Sequence, residues 1–157
     1  GGFYGSIRTP KNSNYSGQLS SIRSRWPLRW HHFSSRNLQI HGSRRGFTAN
    51  FEEKSLRDPI QNEADKGLTN ERGTIAMART ANPHSATNQF FINIVYNKFL
   101  NHTGKNNQGW GYTAFGRVID GMNIVGRMAR TKTVNVGPHS DVPEEAIIIE
   151  KAIIKSE

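Results

Sequence analysis

From Phe51 onward, short apolar stretches alternate with clusters of turn residues, the pattern of a β-rich domain. Three runs read as strands: residues 73–78 (Gly-Thr-Ile-Ala-Met-Ala), 89–95 (Gln-Phe-Phe-Ile-Asn-Ile-Val) and 112–118 (Tyr-Thr-Ala-Phe-Gly-Arg-Val). Residues 146–149 and 152–154 are rich in isoleucine, whose branched side chain suits a pleated surface, and predict a closing strand. One modest helix is expected after Asp120, which can cap it, with Ile124, Val125 and Met128 on one face. Residues 8–45 follow neither period. Arginines interrupt every apolar pair there and Pro10 and Pro27 punctuate it, so propensity predicts an irregular or disordered segment.

At 157 residues the chain fits one domain large enough to bury a core. No apolar run is long enough to cross a bilayer, and the N-terminus lacks the charged-then-apolar pattern of a secretory signal, so a cytoplasmic protein without membrane partners is expected. It starts at Gly1 rather than methionine, as a processed product or a fragment would. The absence of cysteine excludes a disulfide framework, a thiolate nucleophile and a zinc-thiolate site. Fifteen glycines and six prolines favour a turn-rich fold over a helical bundle. The net charge of +9 is unevenly spread: residues 1–50 hold eight Lys/Arg and no acid, whereas residues 51–157 hold thirteen against twelve acids. Arginines interleaved with Trp26 and Trp30 would suit phosphate contact and base stacking. The same Arg- and Ser-rich composition also describes an organellar transit peptide.

The stretch from Ala76-Met77-Ala78-Arg79 through Ala86-Thr87-Asn88-Gln89-Phe90-Phe91-Ile92-Asn93 resembles the substrate groove of cyclophilins, the peptidyl-prolyl cis-trans isomerases. The resemblance runs from about Gly46 to the C-terminus and divides the chain into a basic segment, 1–45, and a cyclophilin-like domain, 46–157. It implies a mainly β fold, a closed antiparallel eight-stranded barrel capped by two helices, here with an incomplete or disordered N-terminal part. It implies a role in protein folding, as a chaperone-like isomerase (rotamase) acting on X-Pro bonds of polypeptides. Cyclosporin-like ligands are implied by the same family. Ala78 and Arg79 would line the groove, Gln89 would hydrogen-bond substrate backbone, and Phe91 would floor the proline pocket. Phe99 and Leu100 would stand at the rim, and Tyr112 falls where many eukaryotic members have histidine. As neighbours on a strand, Phe90 and Phe91 should face opposite sides, one core and one pocket. Without the resemblance Phe90, Phe91 and Phe99 read as plain core aromatics, Gln89 as a solvated strand residue and Arg79 as a surface arginine.

Cyclophilins carry their catalytic arginine in a Phe-His-Arg motif, and none occurs in this chain, so the catalytic residue is left unassigned. Codons for Trp26 through Arg44, chosen among synonyms and read one base later, spell GHYDGTIFHRVISKFMVQG, which resembles a cyclophilin active-site strand pair. In that frame Phe-His-Arg lies over Phe33, Ser34 and Ser35, and Phe-Met-x-Gln over Ile40, His41, Gly42 and Ser43. The family pattern resumes at Gly46-Phe47-Thr48. A shifted frame accounts jointly for the missing acids and the broken periodicity, and it would leave barrel edges unpaired.

Rotation about a peptide bond faces about 18–20 kcal/mol, set by amide resonance. Removing the amide from water and weakening its conjugation suffice for catalysis, so no metal or cofactor is expected. The functional readings are therefore a prolyl isomerase, a catalytically impaired proline-peptide-binding module, and nucleic-acid binding through residues 8–45. His31, His32 and His41 do not make a convincing metal site, because adjacent histidines rarely share one ion. His84, His102 and His139 read as solvated loop residues. Hydrolase and nucleotide-loop motifs are absent.

Overall fold

The computed structural model describes residues 58–87, 89–135 and 143–144 in full, and the backbone of the further strands named below. In chain order these are β1 (Ile7–Arg8), β2 (Trp26–Pro27), β3 (Arg29–Ser34), β4 (Asn37–His41), β5 (Gly46–Phe47), β6 (Glu53–Lys54), β7 (Thr74–Met77), β8 (Phe90–Asn93) and β9 (Ala114–Val118). A 3-10 turn at Lys98–Leu100 precedes β9, and helix α1 (Met122–Met128), β10 (Thr133–Val136), β11 (His139–Pro143) and β12 (Ile148–Ile149) follow it. Six strands form one sheet in the order β1-β9-β7-β8-β4-β3, every neighbouring pair antiparallel. β10 with β11, β12 with β2, and β5 with β6 make two-stranded ribbons.

The central strands bury both faces, and the alternation of their side chains sorts two apolar clusters. Ile75 and Met77 of β7 and Phe90 and Ile92 of β8 join Phe115, Val118, Val125 and Ala86 in the main core. Ala76 and Phe91, one residue out of phase, point to the other face and join Ala114 and Leu100. β9 keeps this sorting through a bulge. Ile75 pairs with Gly116 and Ala76 with Ala114, leaving Phe115 as the extra residue. The extra residue shifts the parity, so Phe115 and Val118, three apart, both reach the main core.

Helix α1 closes that core through Val125, which is fully buried, with Met122, Met128 and Ala129 packed beside it. Its cap differs from the expectation. Gly121, not Asp120, is the N-cap, at φ 89°, and its carbonyl accepts the N–H groups of Ile124 and Val125. A left-handed turn enters the helix there, which glycine adopts without the steric cost of a Cβ.

The strands expected at 73–78, 89–95 and 112–118 are present but shorter at their ends. Ile148–Ile149 is strand, whereas 152–154 lie outside the described residues. The main difference is in the basic segment. Where periodicity predicts irregular chain, β3 and β4 pair along most of their length, and β4 lies against β8 with Gln39 opposite Phe91 and Ile40 opposite Phe90. Pairing with β8 places β4, whose Asn-Leu-Gln-Ile-His run itself alternates, and pairing with β4 places β3. Among the described residues there is one α-helix, and none long and apolar enough to cross a membrane.

Candidate binding groove

Phe91 anchors the outer-face cluster. It is 1% exposed and packs with Ala76, Leu100 and Ala114, with Ala78 and Tyr112 partly covering the group. Tyr112 meets the Phe91 ring edge-on, with centroids 5.7 Å apart. Apolar surface held apart from the main core in this way is of the kind that can shelter an apolar ligand ring.

Four of the seven residues singled out in the sequence therefore come together: Ala78, Phe91, Leu100 and Tyr112. Arg79 joins them from above, its guanidinium carbon 4.7 Å from the centre of the Tyr112 ring. Gln89 is half-buried, and its carbonyl accepts the Ala78 N–H at 2.8 Å, tying the end of β7 to the start of β8. Phe99 stands apart, 67% exposed on the 3-10 turn next to Leu100. Phe90 faces the main core, so the two adjacent phenylalanines occupy opposite faces as strand geometry requires.

The backbone around the cluster is held by side chains the sequence did not single out. Asn70, 1% exposed, donates through Nδ2 to the carbonyls of Leu100 (3.1 Å) and Tyr112 (3.0 Å). Its Oδ1 accepts from Asn93 Nδ2 at 3.1 Å, and Asn93 Oδ1 accepts from Asn97 Nδ2 at 2.7 Å. Buried amides need such partners, and here they fix two segments of the rim. One available signal was Asn93 itself, a polar residue within an otherwise apolar strand.

Gly111 makes the second junction. Its carbonyl accepts from Arg79 Nε at 2.8 Å and from Asn62 Nδ2 at 3.2 Å. It sits at φ 69°, and a Cβ there would lie 2.5 Å from the Leu100 carbonyl oxygen, so only glycine fits. Asn62 also holds Thr113, whose hydroxyl donates to its Oδ1 at 2.8 Å.

His84 is an exposed loop residue, as expected, and His102 is a half-buried one, and both have partners. His84 Nδ1 accepts the Asn62 N–H at 3.1 Å, and the His84 and His102 rings both meet Trp110 edge-on, at 4.9 and 5.3 Å. Trp110, a residue without a sequence motif, gathers both loops. The side chains of His31, His32, His41 and His139 lie outside the described residues. Among the described residues no three metal-ligating side chains converge.

Fold and cluster define an antiparallel β protein with a second apolar cluster, around Phe91, on the opposite face of its central strands from the main core. The chain matches the family model "Cyclophilin type peptidyl-prolyl cis-trans isomerase/CLD" over residues 30–154, and it belongs to that family. The match begins well upstream of Gly46, within the basic segment. The chain is 51% identical over 109 residues to "Peptidyl-prolyl cis-trans isomerase B" of Escherichia coli (strain K12), and 53% identical over 109 residues to "Peptidyl-prolyl cis-trans isomerase cyp18" of Streptomyces antibioticus. Each match covers 69% of this chain and 66% of the relative, so the chain spans just under two thirds of these relatives. A cyclophilin type peptidyl-prolyl cis-trans isomerase of Cryptosporidium parvum, solved in the presence of the dipeptide Ala-Pro, shares the fold with a TM-score of 0.59 at 24% identity, over 92% of this chain and 84% of that one.

Proposed function

We propose that this chain binds X-Pro segments of other polypeptides over the Phe91 cluster and accelerates their cis–trans isomerisation. The observation that carries the reading is the dedication of Phe91, Leu100, Ala76 and Ala114 to the outer face, away from the main core and rimmed by Ala78 and Tyr112. A proline ring seated there loses water, and its amide loses the solvent that favours the charge-separated, conjugated form. Gln89 supplies the groove edge and Phe99 an exposed aromatic rim.

Full catalysis calls for a donor at the prolyl nitrogen, whose lone pair localises in the twisted transition state. Arg79 does not fill that role, because its Nε and Nη1 are committed to the carbonyls of Gly111 and Thr80. In the frame one base later, Phe-His-Arg falls at the end of β3 and Phe-Met-x-Gln begins on β4, the strand paired with β8. The in-frame product would take the family's closed eight-stranded barrel with two helices. Loss of one transition-state donor costs about 10²–10³ in rate, so this chain is a slow isomerase.

Arg79's commitment also favours a second reading, a proline-peptide-binding module without catalysis. A protease-coupled assay on a proline tetrapeptide, with binding of the same peptide measured directly, separates the two. Binding with acceleration supports isomerisation, binding at the background rate supports the module, and no binding overturns both. The same apolar cluster is the surface a cyclosporin-like macrocycle would need. Salt-sensitive RNA binding lost on replacing the Lys and Arg of residues 8–45 by Gln would instead support a nucleic-acid arm.

A further inference from the structure

We infer that Arg79 makes the groove selective for X-Pro segments with an acidic residue within two positions of the proline. This rests on the proposed binding of proline peptides over Phe91 and names the substrate class of that site.

Arg79 follows Ala78 directly off the end of β7 and is half-buried. Its guanidinium is held on three sides: Nε by Gly111 O at 2.8 Å, Nη1 by Thr80 O at 2.9 Å, and its face by the Tyr112 ring at 4.7 Å. Tyr112 in turn rests against Phe91. The charge therefore stands one ring away from the cluster, in a fixed orientation.

These partners are neutral. The described ion pairs are Lys105 with Asp65, Arg117 with Glu71 and Lys132 with Glu144, and Arg79 takes part in none. Backbone carbonyls and an aromatic face orient a guanidinium without cancelling its charge. Nη2 donates to no described residue, which leaves two hydrogens on one edge of the fork. An arginine already ordered loses little further side-chain freedom on meeting a carboxylate, so more of the attraction survives as affinity. A carboxylate oxygen accepting from Nη2 makes a charge-assisted hydrogen bond, stronger than a neutral one. A lysine on the substrate meets the same uncompensated positive charge and is disfavoured.

The test compares proline tetrapeptides that differ only in carrying Glu, Ala or Lys at each position within two residues of proline, with Kd measured by calorimetry. At one of these positions at least, Glu should bind about three- to tenfold more tightly than Ala, and Lys more weakly than Ala. The Glu/Ala ratio should fall toward one in about 0.5 M salt, where the Debye length is about 4 Å. In Arg79→Gln the ratio should also fall toward one, whereas a merely structural role would weaken all peptides together and leave the ratio unchanged. Equal binding of Glu, Ala and Lys peptides at every position overturns the selectivity and leaves proline binding standing. Binding of none overturns proline binding, and the selectivity with it.

Discussion

The rings of Phe91 and Tyr112 meet edge to face with centroids 5.7 Å apart, joining a buried residue of β8 to a half-exposed residue just before β9. The contact links the floor of the outer-face cluster to its rim, while the preceding residue, Phe90, belongs to the main core.

Phe99 and Phe91 should therefore separate binding from folding. Phe99→Ala removes an aromatic that is 67% exposed, so stability should change by no more than about 0.5 kcal/mol while proline-peptide affinity falls. Phe91→Ala should cost about 3–5 kcal/mol by leaving a cavity, and should abolish binding. Urea denaturation beside peptide titration reads both.

Asn70 ties the Leu100 and Tyr112 carbonyls together, and without it the Leu100 carbonyl keeps the Tyr112 N–H alone. Asn70→Ala should destabilise the protein by about 1–3 kcal/mol, since the Tyr112 carbonyl loses the donor described for it. Denaturation midpoints at an unchanged urea m-value check this.

Gly111→Ala should be as damaging. It forces a side chain into a left-handed backbone and toward the Leu100 carbonyl, 2.5 Å from the new Cβ. Strain of this kind costs about 1–3 kcal/mol before the clash is counted, and it displaces the carbonyl that holds Arg79. The thermal midpoint should drop, and any difference between Glu- and Ala-bearing peptides should shrink with it.

Acid stability should depend on Glu71. Its carboxyl is held below the ordinary glutamate value by hydrogen bonds from Arg117 and Thr69. A folded-state pKa below the unfolded one means the contribution is present above the unfolded value, and is lost as pH falls through the lowered folded value. The window therefore runs from about pH 4.5 downward. Arg117→Gln should reduce the loss of stability across that window, as read by thermal melts from pH 6 to pH 3. Both partners are substantially exposed, so the change should be small and should fade in salt.

The central strands were legible because Ile75, Met77, Phe90 and Ile92 alternate with residues of the other face, and period two survives burial on both sides. The opposed directions of Phe90 and Phe91 followed from the same period. β3 was not legible, because arginine, histidine and serine occupy positions where alternation would show; in β4 the alternation of Leu38 and Ile40 with Asn37, Gln39 and His41 is present but spans five residues only, and its placement depends on pairing with β8 far along the chain. The asparagine network was missed for a related reason. A buried amide is recognised by the carbonyls it meets, and those of Leu100 and Tyr112 lie 30 and 42 residues from Asn70. The cap at Gly121 was misread as Asp120 because a side-chain signal was sought where backbone geometry decides.

We propose that a place for proline persists here while the donor that speeds isomerisation lies one base out of register. The direct measurement is the rate of prolyl isomerisation in two proteins: this chain, and the same chain with Trp26 through Arg44 replaced by GHYDGTIFHRVISKFMVQG. Both should bind the same proline peptide, and the repaired protein should turn it over about 10²–10³ faster. Equal rates in the two proteins, or a repaired protein that binds the peptide without accelerating it, would contradict the account.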